Sequence, residues 1–477
     1  MRIKVSGRKM LLGGKWVERK RQIEVKNPEN NEIIALVPAA TASDMLEAIA
    51  LAKEGATQGA SLPIHKRMEI LQKAASYIEY HHEEYARTIS TEGSKTIREA
   101  RKEVTRCIET LRISAEEARQ IKGETIPFDQ RPGSEHRIGY YYRFPIGIVG
   151  AITPFNDPLN LVAHKIGPAV ASGNAIIVKP ASATPLSALK LAEAFLYAGL
   201  PEKVLSVITG YGHEIGDVLV SHPDVRMISF TGGVDAGLEI SRKAGLKKLS
   251  MELGSNSPVI VLDDANIEEA VSSCVSGAFG AAGQNCIGVQ RIFIQNNIYH
   301  DFLQRFIKQT KRYKTGEKLH ELTDVGPLIS EKEAIRVEKL IDRCIQAGAT
   351  VECGGNREGA YIHPTVITGI RENDPEVTEE VFGPVVFLFP VESLDEAISK
   401  ANAVKFGLQA GIFTNNLQDA FSAISRLDVG GVMINDSSDY RIDAMPFGGV
   451  KQSGLGREGV SHSIQEMTDP KVVCVNL

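Results

Sequence analysis

Three features of the 477-residue chain predict an α/β protein of two large domains. Short apolar runs alternate with helical patterns along most of the chain. The runs are apolar on consecutive positions, as in parallel strands buried on both faces, and Gly and Pro mark the joints between elements. Residues 63–93 predict one long amphipathic helix, with Ile70, Leu71, Ala74, Ala75 and Ile78 on its apolar face. Runs at 146–152, 175–178, 204–208, 227–230 and 259–262 predict strands. Between the second and third, Thr184 and Pro185 read as N-cap and first position of a helix, and Gly199 with Pro201 as its stop. Asn266 with Glu269 three residues on opens another helix running toward the glycines at 277–283, with a loop around Cys286 to follow. Runs at 291–295 and 385–390 carry the α/β pattern into the second half.

Composition excludes several function classes. Hydrophobic residues at 43%, charged residues at 24% and a net charge of −5 suit a compact chain and argue against nucleic-acid or anionic-membrane partners. The first twenty residues mix charges and lack a signal-peptide core, and no run approaches membrane-span length, so a cytoplasmic protein is expected. The six cysteines (107, 274, 286, 344, 353 and 474) show neither C-x-x-C nor Cys/His pairs at ligand spacing, which disfavours metal sites and disulfides and leaves room for a working thiol.

Cys286 stands apart because Gly283 and Gly288 flank it, letting backbone approach a ligand, whereas Cys274 lies in a helical pattern and Cys474 in an apolar run. A thiol attacking a carbonyl needs a base, and hydrolysis of the thioester needs a group to activate water. Glu252, between apolar residues and just before Gly254, fits that need; the plainer alternative pairs it with Lys247 or Lys248. Asn156, in the proline-fixed turn 153–158 after a strand, offers an amide to a developing oxyanion, or is an ordinary turn residue. Lys179 and the stretch from Phe230 through Thr231, Gly232 and Gly233 to Gly237 lie at carboxyl ends of strands, where open α/β sheets bind nucleotides. Gly210, Gly212 and Gly216 form only a loose dinucleotide pattern.

Together, and with the segments 379–384 and 446–458, these residues resemble the aldehyde dehydrogenase superfamily over essentially the whole chain, nearest its lactaldehyde, phosphonoacetaldehyde and sulfolactaldehyde branch. The resemblance implies Cys286 as nucleophile, Glu252 as general base and Asn156 as oxyanion donor. It implies cofactor contacts from Thr153, Phe155, Lys179, Ser182, Gly212, Phe230, Thr231, Gly232, Gly233, Glu380 and Phe382. The implied architecture is a doubly wound NAD(P)-binding domain (1–122 and 144–252), an α/β catalytic domain (253–435) and a small β bridging element for oligomerisation (123–143 and 460–477), with a hairpin near 123–143. A homo-oligomer, dimer or tetramer, is implied as well.

The implied reaction is NAD- or NADP-dependent oxidation of a small anionic or hydroxylated aldehyde to the free acid through a Cys286 thioester. Ser182 stands where NAD-preferring relatives often place Glu, which removes a repulsion toward a 2′-phosphate and leaves the cofactor as NAD or NADP. Arg441, and after it Arg106, are candidates to meet an anionic substrate group, against a plain reading as surface ion pairs; Asp157 beside Asn156 would oppose such a pocket if it pointed inward. Succinic semialdehyde or general aldehyde oxidation is the nearest alternative. A cofactor-free cysteine hydrolase would need a histidine partner, for which His164 and His213 offer no setting, and a non-catalytic protein would have no need of Asn156, Glu252 and Cys286 together.

Overall fold

A computed structural model describes residues 6–477. Its largest sheet has eight strands in the order Gly454–Leu455, Lys248–Glu252, Val225–Thr231, Ile148–Ile152, Ala175–Lys179, Leu205–Val207, Met10–Leu12 and Lys15–Val17. The five central strands are parallel, and the three outer ones pair antiparallel. Alternate residues explain why these runs read as continuously apolar. Val149, Ala151, Ile176 and Val178 face one core, shared with the helices Ile97–Glu117 and Asn160–Ser172. Ile148, Ala175 and Ile177 face the other, shared with Ala42–Ser61 and Gly212–Ser221. Both faces are covered, as in doubly wound folds.

Chain order reverses between Ile148–Ile152 and Val225–Thr231, which are sheet neighbours although two strands separate them in sequence. The carboxyl ends of these two strands diverge at the switch point, where a crevice for a ligand opens. Residues 153–158 and 230–233 leave the sheet there.

A second sheet runs Thr350–Cys353, Thr365–Thr368, Val385–Val391, Val289–Gln295, Ser257–Val261, Gln409–Phe413 and Gly431–Ile434, parallel except for its first pair. The hairpin expected near 123–143 forms from Glu124–Ile126 and Arg137–Pro145, and Thr468–Asn476 adds a third antiparallel strand. Ile138, Tyr142, Phe144, Val472 and Val475 remain exposed on this small sheet.

Three local expectations need correction. Residues 63–93 form two helices, Ile64–Tyr80 and His82–Glu92, because His81 leaves helical geometry (φ −100°, ψ 19°). The apolar stripe resumes at Tyr85, Ala86 and Ile89, so the sequence pattern shows no break. Thr184 is not an N-cap. The helix is Leu186–Tyr197, Pro185 precedes it without a side-chain cap, and the distant carboxylate of Glu92 accepts from the N–H groups of Leu186 and Ser187 at 2.7 Å each. Asn266 does cap Ile267–Phe279, by accepting from the Glu269 N–H, but the reciprocal Glu269 bond is not formed.

Candidate active site

A cavity of about 880 Å³ opens at the switch point and reaches the loop around Cys286. One wall comes from the first sheet, through Thr153–Asp157, Phe230–Gly233 and Glu252–Gly254; the other comes from the second, through Gln284–Ile287, Glu380 and Phe382.

The Cys286 loop follows from unusual backbone. Ala281, Ala282 and Gly283 all adopt positive φ (51°, 54° and 69°). A Cβ on Gly283 would lie 2.1 Å from the Gly383 carbonyl oxygen, so only glycine fits there. The Gln284 amide then fixes the turn, donating to Ala281 and Pro327 carbonyls and accepting from the Ile329 N–H. The Gln284 carbonyl in turn accepts from Asn156 Nδ2 at 3.0 Å, which ties the strand-end turn of the first sheet to the cysteine loop of the second.

Cys286 is half-buried, and its thiol is pushed up to about 12, chiefly by desolvation, while the Arg441 charge pulls it down and Glu252 pushes it further up. The thiol is therefore protonated at rest and needs a base. Glu252 ends the strand Lys248–Glu252, is 2% exposed, and has no hydrogen-bond partner on either carboxylate oxygen. Burial first, and the neighbouring Glu458 second, raise its pKa well above the usual carboxylate range. The plain pairing with lysine is overturned: Lys247 donates to the Ser221 and Ala244 carbonyls, and Lys248 to those of Glu466 and Thr468.

Arg441 is no surface residue either. Its side chain is 7% exposed, its guanidinium stacks 3.7 Å over the Phe447 ring, and Glu458 approaches at 3.6 Å. Its Nε and Nη2 have no hydrogen-bond partner, although the residue lines the cavity. Arg106 also lines the cavity but is engaged: Nη2 and Nε donate to the two oxygens of buried Asp443 at 2.7 and 3.2 Å. His164 and Asn160 bond the same Asp443 oxygen at 2.8 and 3.1 Å. Asp157 does face the cavity, yet its charge is balanced by an ion pair with Lys95, whose ammonium also donates to Glu103 at 2.8 Å.

The expected nucleotide residues divide in two. Thr153, Phe155, Phe230, Thr231, Gly232, Gly233, Glu380 and Phe382 line the cavity, whereas Lys179, Ser182 and Gly212 lie outside its lining. Lys179 is 6% exposed, donates only to the Pro180 carbonyl, and is lowered by desolvation to about 8; its side chain lies close to Gly212, where a Cβ would sit 3.8 Å from Cε. Glu380 accepts from the Ser255 N–H at 2.9 Å and is raised by burial to about 7. Phe382, at φ 47°, meets the Phe155 ring edge to face at 5.8 Å.

These residues fit a nicotinamide dinucleotide. The helix Val234–Ala244 starts at Gly233 with no side-chain cap, and a Cβ on Gly233 would meet no atom within 4 Å, so the open helix N-terminus is free to receive a diphosphate.

Three functional contributors escaped the sequence analysis. Lys165 is fully buried in Asn160–Ser172 and donates to Glu458 at 2.7 Å and to Ser229 and Thr231 at 3.0 Å. A lysine inside so apolar a helix signals a buried ion pair, and that signal was present. Glu458 and Phe447 lay in the segment 446–458 but acquire meaning only by folding: their backbones pair in both directions, which sets the ring beneath Arg441 and the carboxylate beside it.

Comparison with known proteins agrees. The sequence model of the Aldehyde dehydrogenase family matches residues 16–473. The chain is 51% identical over 455 residues to an aspartate-semialdehyde dehydrogenase of Pseudomonas canavaninivorans, covering 95% of this chain and 97% of that one. It is 45% identical over 468 residues to a 3-sulfolactaldehyde dehydrogenase of Priestia megaterium, covering 98% of each. Among solved structures, a glyceraldehyde-3-phosphate dehydrogenase of Methanocaldococcus jannaschii complexed with NADP superposes with a TM-score of 0.93 at 40% identity, covering 96% of this chain and 100% of that one. A switch-point crevice shared with a half-buried cysteine, and these likenesses over nearly its whole length, mean that the chain belongs to the aldehyde dehydrogenase family of NAD(P)-dependent oxidoreductases.

Proposed function

We propose that this enzyme oxidises a small anionic aldehyde to the free carboxylic acid, with Cys286 as nucleophile, Glu252 as base and Asn156 as oxyanion donor. The observation that carries the anionic substrate is Arg441: a buried guanidinium with two unpaired N–H groups on the wall of the cavity that holds Cys286. Leaving such donors buried and unpaired costs about 1 to 3 kcal/mol per group, a cost that an anionic ligand offsets. The relatives named for aspartate semialdehyde and sulfolactaldehyde act on aldehydes with an anionic group, which supports the same reading.

In this mechanism Glu252 takes the Cys286 proton as sulfur bonds to the aldehyde carbon. The Asn156 amide turns from the Gln284 carbonyl to the new oxyanion, with the Cys286 N–H as second donor. A bound nicotinamide would supply the acceptor for the hydride that leaves this carbon. A thioester on Cys286 remains; Glu252, once it has passed the thiol's proton to solvent, removes a proton from water, whose oxygen bonds to the acyl carbon while the carbon–sulfur bond breaks and the leaving sulfur takes the proton back from Glu252. Lys165 and Glu458 form an ion pair behind Glu252 without bonding it, the Glu458 charge raising the Glu252 pKa and the Lys165 charge opposing that rise.

Gly232 and Gly233 would hold the diphosphate, Glu380 the nicotinamide ribose, Phe382 its ring, and Lys179 with Ser182 the adenosine ribose beside Gly212. Thr153, Phe155, Phe230 and Thr231 would line the cofactor channel. Residues 1–122 and 144–252 then serve the cofactor, and 253–435 the catalytic thiol. The small sheet around 123–143 and 460–477, whose exposed apolar residues need a cover, is assigned to a homo-oligomer contact, a dimer or tetramer in the cytoplasm. Among the described residues no helix is long and apolar enough to cross a membrane.

The test is cofactor reduction with NAD and NADP in turn, on neutral and anionic aldehydes of equal length. A preference for the anionic member that disappears in Arg441→Met supports the assignment, and equal rates on both classes refute it.

A further inference from the structure

The cavity is lined by a second charged recognition group besides Arg441, and it has the opposite sign. Asp157 lines the cavity with 19% of its side chain exposed, and its Oδ1 is paired with Lys95. Among the described residues no group donates to its Oδ2. The carboxylate is held rigidly: Lys95 is anchored to buried Glu103, and Glu103 Oε1 accepts from the Leu159 and Asn160 N–H groups at 2.8 and 3.1 Å, so one carboxylate caps the helix Asn160–Ser172 and braces the turn that carries Asp157. The Lys95 ammonium and the Arg106 and Arg441 guanidiniums all keep Asp157 ionised, below the usual carboxylate range despite burial. Asp157 and Arg441 line the same cavity as the Cys286 thiol.

An ionised carboxylate only accepts hydrogen bonds. An aldehyde with an anion alone satisfies Arg441 and leaves Asp157 facing it without a donor. An aldehyde with an anion and a hydroxyl or ammonium group between carbonyl and anion satisfies both. Of the other cations lining the cavity, Arg106 is held by Asp443, Lys95 by Asp157 and Glu103, and Arg336 by Glu333 and the Val381 carbonyl, while Lys102 forms no ion pair among the described residues.

Building on the anionic-aldehyde reading, we propose that Asp157 is a specificity-determining residue that receives a hydroxyl or ammonium donor on the substrate's carbon chain, so that the substrate is a hydroxy- or amino-substituted anionic aldehyde. A hydrogen bond to a charged acceptor contributes about 1.5 to 3 kcal/mol, or roughly tenfold to a hundredfold.

The experiment compares kcat/KM for 4-oxobutanoates bearing hydrogen, hydroxyl or ammonium on the chain, with the neutral aldehyde butanal as reference. A substituted member should exceed the unsubstituted one by about tenfold to a hundredfold, and in Asp157→Asn that margin should shrink to about threefold or less. Because this variant adjoins Asn156, its effect on the turn is read from kcat on the unsubstituted 4-oxobutanoate. The same ranking should appear without turnover as Kd values of the product acids for Cys286→Ala, measured by calorimetry. If all three 4-oxobutanoates react alike, yet far better than butanal, the role of Asp157 is refuted while the anion site stands. If butanal matches the 4-oxobutanoates, the anionic reading itself has failed.

Discussion

Two layers of buried charge lie within a few residues of each other, and they are built in opposite ways. In one layer each charge meets a counter-charge: Arg106 and His164 on Asp443, Lys165 on Glu458, with only His164 Nδ1 and Glu458 Oε2 of these groups lacking a hydrogen-bond partner. At the wall, Glu252 has both oxygens unpaired and Arg441 has two unpaired donors. Natural interiors rarely tolerate such orphans, because each forfeits its hydration without a replacement bond. The contrast teaches that burial of a charge by itself indicates structure, whereas burial with unmet hydrogen bonding on a cavity surface indicates a ligand. Arg106 and Arg441 are the sharpest case, since both are cavity-lining arginines and only one has donors to spare.

The largest expected effect tests the unpaired layer. Glu252→Gln should lower steady-state turnover by about 10² to 10⁴ while leaving the unfolding midpoint unchanged. A rapid burst of cofactor reduction followed by a slow phase would place the loss in thioester hydrolysis, and full steady-state activity would remove Glu252 from the mechanism.

The matched layer should respond in the other currency. Asp443→Asn strands Arg106 and His164 and should cost about 3 to 5 kcal/mol in urea unfolding. Asp443 is held far below the usual carboxylate range, with its hydrogen bond from His164 and the His164 and Arg106 charges overcoming its burial. A depressed folded-state pKa means that this contribution is fully present above about pH 4 and is lost as pH falls below it, so wild type and variant should converge in stability in acid. A variant as stable as wild type at neutral pH would erase the distinction between the layers.

Arg441→Met should raise KM for anionic aldehydes about tenfold to a hundredfold while leaving KM for neutral ones little changed. The smallest effect is graded with pH. With the Cys286 thiol raised to about 12, its alkylation rate should climb about tenfold per pH unit from 7 to 10 without levelling, where an ordinary cysteine levels near 9. A plateau near neutrality would mean an activated thiolate at rest and would leave Glu252 no proton to take from it.

Much of the fold was legible because its signals are local. The consecutive apolar positions at 148–152 and 175–178 follow from strands covered on both faces, and Gly199, at φ 87°, ends its helix where the sequence placed the stop. Failures occurred where a distant group substituted for a local one. Thr184 was eligible as a cap, but Glu92, more than ninety positions earlier in the chain, supplies the acceptor instead. The helix break at His81 leaves no trace in an apolar stripe that continues through it.

The sequence by itself determined the α/β class, the parallel strands and the candidates Cys286, Glu252 and Asn156, because strand periodicity, glycine placement and motif spacing are properties of neighbours in the chain. Only the tertiary structure decided which charges are paired. Asp443 lies 337 positions from Arg106, Glu458 lies 293 from Lys165, and Lys95 lies 62 from Asp157. Whether a buried charge is silent or available depends on partners that the chain brings together only when it closes.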